Sequence, residues 1–186
     1  MSLRPMRSDD APTVARLHVT HLAGLLHELG PAVAARFYRQ ALLMPETVAL
    51  VLGEAEARGF VFGTMEADGF YRRVLRSAPL GLGLPVALRV LGRPRLLRSL
   101  LAPALPASGP ELLFVALAPA HRGAGDGGRL LRAFEAELRR RGADHYELSV
   151  ECANERAVAV YEHLGLQRAG DLVEFGLARR RYRKVL

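Results

Sequence analysis

Several residue types and patterns are scarce in this chain of 186 residues, and each scarcity excludes a class of protein. The single cysteine, Cys152, cannot form an internal disulfide bond, which excludes a disulfide scaffold and favours a reducing compartment. No uninterrupted apolar run is long enough to span a membrane. The opening stretch MSLRPMRSDDAPTV has no apolar signal core, so the sequence predicts a cytoplasmic protein.

Acidic residues are missing from one long stretch, residues 69–110, although arginine is common there. Its arginines are Arg72, Arg73, Arg76, Arg89, Arg93, Arg95 and Arg98. The net charge of the chain is +7, and Lys184 is its only lysine. Such a stretch suits an anionic membrane surface or an acidic substrate, but a plain solvated face is the simpler interpretation. Aromatic residues are not interleaved with the arginines, so nucleic acid binding is not predicted.

Apolar periodicity predicts one domain over residues 1–186, in which strands and helices are mixed. A strand and two helices come first, the helices after Asp9–Asp10 and Gly30–Pro31, and a hairpin follows from residues 47–67. The stretch 69–110 predicts two short helices around Gly92–Pro94. A strand, a helix ended by Gly142, a second strand, a helix capped by Asn154 and a terminal hairpin complete the order.

Glycines cluster at the start of the first of these late helices, in HRGAGDGGRLL (residues 121–131). Exposed backbone amides and the positive end of a helix dipole attract phosphate there. A nucleotide P-loop is excluded, because Gly128 is followed by Arg129 and Leu130 where that motif needs lysine and a hydroxyl residue. A dinucleotide fingerprint fits the glycines and Glu151, but too few residues follow Glu151 for the rest of such a domain.

Residues 122–127, RGAGDG, match the coenzyme-binding signature [QR]-x-x-G-x-[GA] of the GNAT N-acetyltransferase superfamily, which this region closely resembles. A second block, VECANERAVAVYEHLGLQ, resembles the family at Asn154, Ala157, Tyr161, Gly165 and Leu166. The resemblance implies an α/β (α+β) fold with a central mixed, mostly antiparallel sheet flanked by helices. It further implies a coenzyme-binding core over residues 111–170, preceded by a helical insertion over residues 69–110.

The same resemblance implies a function: direct transfer of an acetyl group from acetyl-CoA to a primary amine in a ternary complex, without a metal. It assigns the pantetheine arm to Val115 and Leu117. It also assigns the coenzyme contacts to Arg122, Gly123, Ala124, Gly125, Gly127, Gly128, Asn154 and Tyr161. Tyr161 aligns with the family's general acid, since a phenol stays protonated at neutral pH. Glu111 resembles a position that serves as general base, and Glu151 is a second candidate.

Asp126 departs from the family pattern, which has an aliphatic residue there, and places a negative charge near the expected pyrophosphate. The sequence therefore predicts weaker coenzyme binding, and it leaves open a GNAT-fold protein that binds acyl-CoA as a sensor or scaffold without turnover. A basic surface-binding protein with a vestigial site is a third alternative. The amine acceptor is not identified; the arginines of residues 69–110 suit an anionic acceptor or a membrane surface. Both a monomer and a homodimer are compatible with the sequence.

Overall fold

The structure is a computed structural model that describes residues 2–91, 109–174 and 177–186. One sheet of seven strands has the order β1-β2-β3-β4-β5-β7-β6. Its strands are β1 (Leu3–Pro5), β2 (Thr47–Leu52), β3 (Gly59–Thr64), β4 (Glu111–Leu117), β5 (His145–Glu151), β6 (Gln167–Glu174) and β7 (Leu177–Val185). All neighbours pair antiparallel except β4 and β5, which pair parallel. This confirms the mixed, mostly antiparallel sheet.

Seven α-helices occur among the described residues. They are α1 (Ala11–His21), α2 (Leu25–Leu29), α3 (Pro31–Ala41), α4 (Phe70–Ser77), α5 (Leu84–Val90), α6 (Asp126–Arg140) and α7 (Glu155–His163). A helical turn, Pro79–Gly83, leads directly into α5. The sequence predicted two helices around Gly92–Pro94. Helix α5 lies directly before Gly92, and the part of the prediction that falls on residues 92–108 lies outside the described residues. Helix α2 was not predicted, because a helix of five residues is too short to show apolar periodicity.

Helices cover both faces of the sheet, and each face has its own buried cluster. The cluster under α1–α5 contains Phe37, Tyr38, Phe60 and Phe62, whereas Val61 joins the cluster under α6 and α7. Neighbouring residues of a strand point to opposite faces, so β3 is buried along its whole length only because both faces are covered. The sequence GFVFGT accordingly has no polar face.

Strand β4 contains a β-bulge at Leu113. Phe62 pairs with Phe114 and Gly63 pairs with Leu112, so Leu113 is an extra residue on β4. Leu112 packs in the cluster under α6 and α7, while Leu113 and Phe114 both pack in the other. A Cβ on Gly63 would lie 2.3 Å from the Glu111 carbonyl oxygen, so only glycine fits opposite the bulge. A bulge bends its strand and increases its twist.

Strands β4 and β5 consequently separate. Their parallel pairing covers only Glu111↔Glu147 and Leu112↔Leu148. Strand β5 keeps β7 as its other neighbour along its whole length, and β4 keeps β3. A gap therefore opens between the carboxyl ends of β4 and β5, on the side where α6 and α7 begin.

Candidate active site

The gap exposes one edge of β4. Val115 and Leu117 lie beyond the last residue of β4 that pairs with β5, while they still pair with Val61 and Gly59 of β3. Backbone groups on the edge that faces the gap are thus free of the β5 ladder and can hydrogen-bond an extended ligand. This is the edge that the sequence assigned to the pantetheine arm.

A glycine-rich loop connects this edge to α6. The turn Pro119–His121 leads to Arg122, whose Nε donates to the Leu117 carbonyl oxygen at 3.1 Å and holds the loop against the end of β4. Gly123 and Gly125 have positive φ angles of 88° and 82°, which residues with a Cβ atom rarely adopt. A Cβ on either would point into open space, so the loop leaves room on its outer side.

The amino-terminal end of α6 has no side-chain cap. Its first internal hydrogen bond runs from the Arg129 amide to the Gly125 carbonyl oxygen, at 3.1 Å. The amides of Asp126, Gly127 and Gly128 precede that bond, and Gly125 at the N-cap position has no side chain to accept from them. Such amides, together with the positive end of the helix dipole, suit a phosphate diester. The loop and helix therefore fit the pyrophosphate of coenzyme A.

Asp126 points away from open solvent at this helix end. The residue is 6% exposed, and its Oδ1 accepts from Nη1 of Arg129 at 2.9 Å. The ion pair compensates the carboxylate within one helical turn. The repulsion of a phosphate that the sequence predicted for Asp126 is thereby reduced.

Asn154 lies at the N-cap position of α7, and Tyr161 lies within that helix. The Oδ1 of Asn154 accepts from the Ala157 amide at 3.1 Å, so Asn154 caps the helix as the sequence predicted. Tyr161 belongs to the buried cluster under α6 and α7, and its ring centroid lies 6.4 Å from that of Tyr182. Burial raises the pKa of Tyr161 to about 12, so the phenol keeps its proton throughout the neutral range.

The two candidate bases, Glu111 and Glu151, lie at opposite ends of the gap. Glu111 pairs with Glu147 where the strands still meet, and strand alternation places it on the face opposite to Leu112. Glu151 ends β5 at the open end, and its Oε1 lies 3.8 Å from Nη2 of Arg179. The geometry brings Glu151, rather than Glu111, to the side where the coenzyme loop begins.

Sequence reasoning missed a buried polar pair between α1, α3 and β4. Nδ1 of His18 lies 2.7 Å from the Tyr38 hydroxyl, and the His18 ring packs edge-on against Phe114, with centroids 4.5 Å apart. Burial lowers the pKa of His18 to about 4, which keeps the imidazole neutral. The spacing of His18 from the buried Val14 and Ala15 was the available signal for its burial.

Comparisons with known proteins agree with this geometry. Residues 101–166 match the model of the Acetyltransferase (GNAT) family. An N-acetyltransferase from Staphylococcus aureus Mu50 shares the fold with 17% identity and a TM-score of 0.71, over 99% of this chain and 100% of that one. The protein SsHAT is 26% identical with a TM-score of 0.67, over 99% and 97% of the two chains. None of the curated protein sequences matches the chain.

A third solved structure contains a ligand. It is yncA, a putative acetyltransferase from Salmonella typhimurium with its cofactor acetyl-CoA, at 19% identity and a TM-score of 0.64 over 100% of this chain and 94% of that one. The family match and the fold shared over the full length agree with the two sequence blocks. Residues 101–166 thus resemble the GNAT acetyltransferase family, and the chain shares the fold of these solved structures over its length.

The described residues contain neither a cluster of metal ligands nor a membrane-spanning helix. No three histidine, cysteine or acidic side chains among the described residues lie together as ligands for a metal ion. None of the helices described is both long enough and apolar enough to cross a membrane.

Proposed function

We propose that this protein is an N-acetyltransferase that moves the acetyl group of acetyl-CoA to a primary amine by direct attack within a ternary complex. The observation that carries the proposal is the gap between β4 and β5 beside the uncapped start of α6. A sheet gap with a free edge and a phosphate-binding helix end suits a long ligand that has an extended arm and a pyrophosphate. The family match supports acetyl transfer in general.

The coenzyme contacts follow from this arrangement. The amides of Gly123, Ala124, Gly125, Gly127 and Gly128, with the nearby guanidinium of Arg122, would hold the pyrophosphate. The β4 edge at Val115 and Leu117 would pair with the amides of the pantetheine arm. Asn154 uses one lone pair of its Oδ1 to cap α7, and its Nδ2 hydrogens would donate to the ligand. Residues 111–170 then act as the coenzyme-binding core of a single domain over residues 1–186. We propose that the protein acts in the cytoplasm.

The chemistry needs a neutral amine, support for an oxyanion and a proton for the departing sulfur. The amine nitrogen attacks the thioester carbonyl carbon, the C–S bond breaks, and the proton that the nitrogen loses balances the one that the sulfur gains. A backbone amide on the free β4 edge would donate to the oxyanion. Glu151 at the open end, or Glu111 at the paired end, would accept the amine proton, directly or through water.

The role of Tyr161 depends on its raised pKa. A pKa of about 12 lies well above the ~8.5 typical of a thiol. Complete proton transfer from the phenol to a free thiolate is therefore uphill. We propose that Tyr161 donates a hydrogen bond to the sulfur while the C–S bond breaks, and that the proton is transferred only as negative charge develops there.

Calorimetric titration with acetyl-CoA, followed by a thiol-release assay over a panel of amines, tests the proposal. We expect binding and amine-dependent release, and we expect Tyr161→Phe to lower kcat about a hundredfold with an unchanged Kd for acetyl-CoA. Tyr182→Phe is the matched control, since that neighbouring hydroxyl donates to Glu162 at 2.7 Å.

Each outcome separates the alternatives. Binding without release from any amine would favour the sensor or scaffold over the enzyme. Absence of binding would contradict the assignment of the glycine loop and the β4 edge. Equal kcat for Tyr161→Phe and the wild type would remove Tyr161 from the mechanism and leave the coenzyme site standing.

A further inference from the structure

A row of exposed leucines follows one side of the helical segment from Pro79 to Val90 and continues to Leu91, directly after that segment. Its members are Leu80, Leu84, Leu88 and Leu91, which are between 50% and 80% exposed. Intervals of four, four and three residues place them on one face of a helix. Scattered exposed leucines are ordinary on protein surfaces, whereas an aligned row forms a contiguous apolar patch. We call these four residues the leucine row.

Folding of the domain does not account for the leucine row. The opposite face of the same segment supplies Leu82, Val86 and Val90, all of which are buried in the cluster under α1–α5. A helix that is apolar all round is normally buried all round. One apolar face of this segment thus packs into the core, and the other apolar face is exposed to solvent.

The surroundings of the leucine row are basic. Helix α3 with the residues up to 44, and residues 69–91, contain no aspartate or glutamate. Their arginines are Arg36, Arg39, Arg72, Arg73, Arg76 and Arg89. Of these arginines, Arg73 forms ion pairs with carboxylates of the described residues, namely Glu46 and Glu66, and the others do not. The remaining positive charges are therefore available to an external anion.

Two of these arginines line a cavity next to the row. The cavity of about 410 Å³ lies between α3 and the turn before α5, and Arg36, Arg39 and Gln40 form its α3 side. Nη1 of Arg36 donates to the Gly81 carbonyl oxygen at 3.2 Å, which holds one guanidinium beside Leu80. Guanidinium groups bind phosphate oxygens with paired hydrogen bonds. The cavity thus offers a phosphate group a place adjacent to apolar surface.

We propose that this face docks on an anionic phospholipid membrane, with the leucine row at the level of the acyl chains and the arginines on the lipid phosphates. A helix in the membrane interface has this division between leucines and basic residues. Pairing of two copies through the same face would bring two sets of unpaired arginines together, so charge disfavours a homodimer here. Nucleic acid would match the arginines but not the leucines, since bases stack on aromatic rings.

Co-sedimentation with vesicles tests the proposal on the full chain. We expect binding to vesicles of phosphatidylcholine with about one third phosphatidylglycerol, little binding to pure phosphatidylcholine, and weaker binding as salt rises. Leu80→Ser/Leu84→Ser/Leu88→Ser should reduce the affinity at least tenfold, because it removes apolar area that enters the interface. Arg36→Gln/Arg39→Gln should reduce it roughly thirtyfold on anionic vesicles.

Matched controls lie on the opposite end of the sheet. Val173 and Arg183 are exposed on β6 and β7, so Val173→Ser and Arg183→Gln should bind vesicles as the wild type does. All variants should keep the wild-type Kd for acetyl-CoA, which separates this proposal from the proposed function. Absence of wild-type binding to anionic vesicles at low salt would overturn the proposal. So would leucine variants that only change the oligomeric state, or that only weaken binding to an oligonucleotide.

Discussion

Burial decides the charge state of His18, and this has a consequence for stability. The pKa of His18 is lowered to about 4 in the fold, first by burial and then by the neighbouring His27. In the unfolded chain a histidine has a pKa of about 6.5. The folded protein binds fewer protons between these values, so the contribution of His18 is complete above pH 6.5 and is lost as the pH falls towards 4.

We expect His18 to account for about 3 kcal/mol of the stability lost on acidification from pH 7 to pH 4. His18→Phe should therefore flatten the dependence of the unfolding free energy on pH in that window, although it also removes the hydrogen bond to Tyr38. Urea unfolding at several pH values measures the slope, and His163→Gln, at an exposed position of α7, is the control. A slope that His18→Phe leaves unchanged would mean that His18 is not buried as described.

The loss of stability between about pH 6.5 and pH 4 is specific to histidine. The Arg4 hydrogen bond lowers the pKa of Asp10, and the Arg140 hydrogen bond is the main reason that the pKa of Glu137 is lowered to about 2. Stability that depends on lowered carboxylate pKa values is lost only below their ordinary range near pH 4. His21, whose pKa burial also lowers, acts in the same direction as His18, so the variant rather than the wild-type curve isolates His18.

Helix α6 combines a phosphate-binding end with an internal ion pair. Asp126 in the first turn favours the helix, while Arg129 offsets its charge near the expected pyrophosphate. Asp126 should therefore weaken coenzyme binding, and Arg129 should strengthen it. The sequence alone showed the acid at position 126 but not its pairing, since four arginines lie within the helix and only the structure shows which one reaches back.

Arg129→Gln should raise the Kd for acetyl-CoA two- to fivefold, because it leaves the Asp126 carboxylate uncompensated near the pyrophosphate. Asp126→Ile should lower the Kd by a similar factor, since it removes a carboxylate from the neighbourhood of the phosphates. Calorimetry with acetyl-CoA at low salt measures both, with Arg140→Gln at the far end of α6 as the control. Equal Kd values for all three variants and the wild type would contradict the placement of the pyrophosphate at this helix end.

The order of the elements was predictable because apolar period, caps and glycine stops agree along most of the chain. The match is close for β4, where ELLFVALAP covers Glu111–Leu117, and for α7, which Asn154 caps. The bulge at Leu113 was not predictable, since a continuous apolar run does not show which residue is left unpaired. The gap between β4 and β5 that follows from this bulge was therefore not predictable from the sequence pattern. Its position beside Glu151 rather than Glu111 required the structure.

At the scale of the whole molecule, a buried ion pair connects the last strand to the centre of the fold. Nζ of Lys184 donates to Oε1 of Glu135 at 2.6 Å, and the Tyr146 hydroxyl donates to the same oxygen at 3.0 Å. The three residues belong to β7, α6 and β5, so the contact joins the terminal hairpin to the helix that carries the coenzyme loop. This contact could not be predicted from the sequence. Its residues are separated along the chain, and the pattern of α6 gives Glu135 an ordinary polar position.

Removal of one partner of this pair should destabilise the whole domain. Lys184→Met leaves the Glu135 carboxylate, which is 4% exposed, without a cation, and we expect the free energy of unfolding to fall by about 3 kcal/mol in urea. Glu135→Leu/Lys184→Met should recover much of that loss, since no charge then remains buried. Arg183→Gln, the exposed neighbour on β7, should change stability by less than about 0.5 kcal/mol. If the double variant is as unstable as Lys184→Met, the loss comes from packing at position 184 and not from an uncompensated carboxylate.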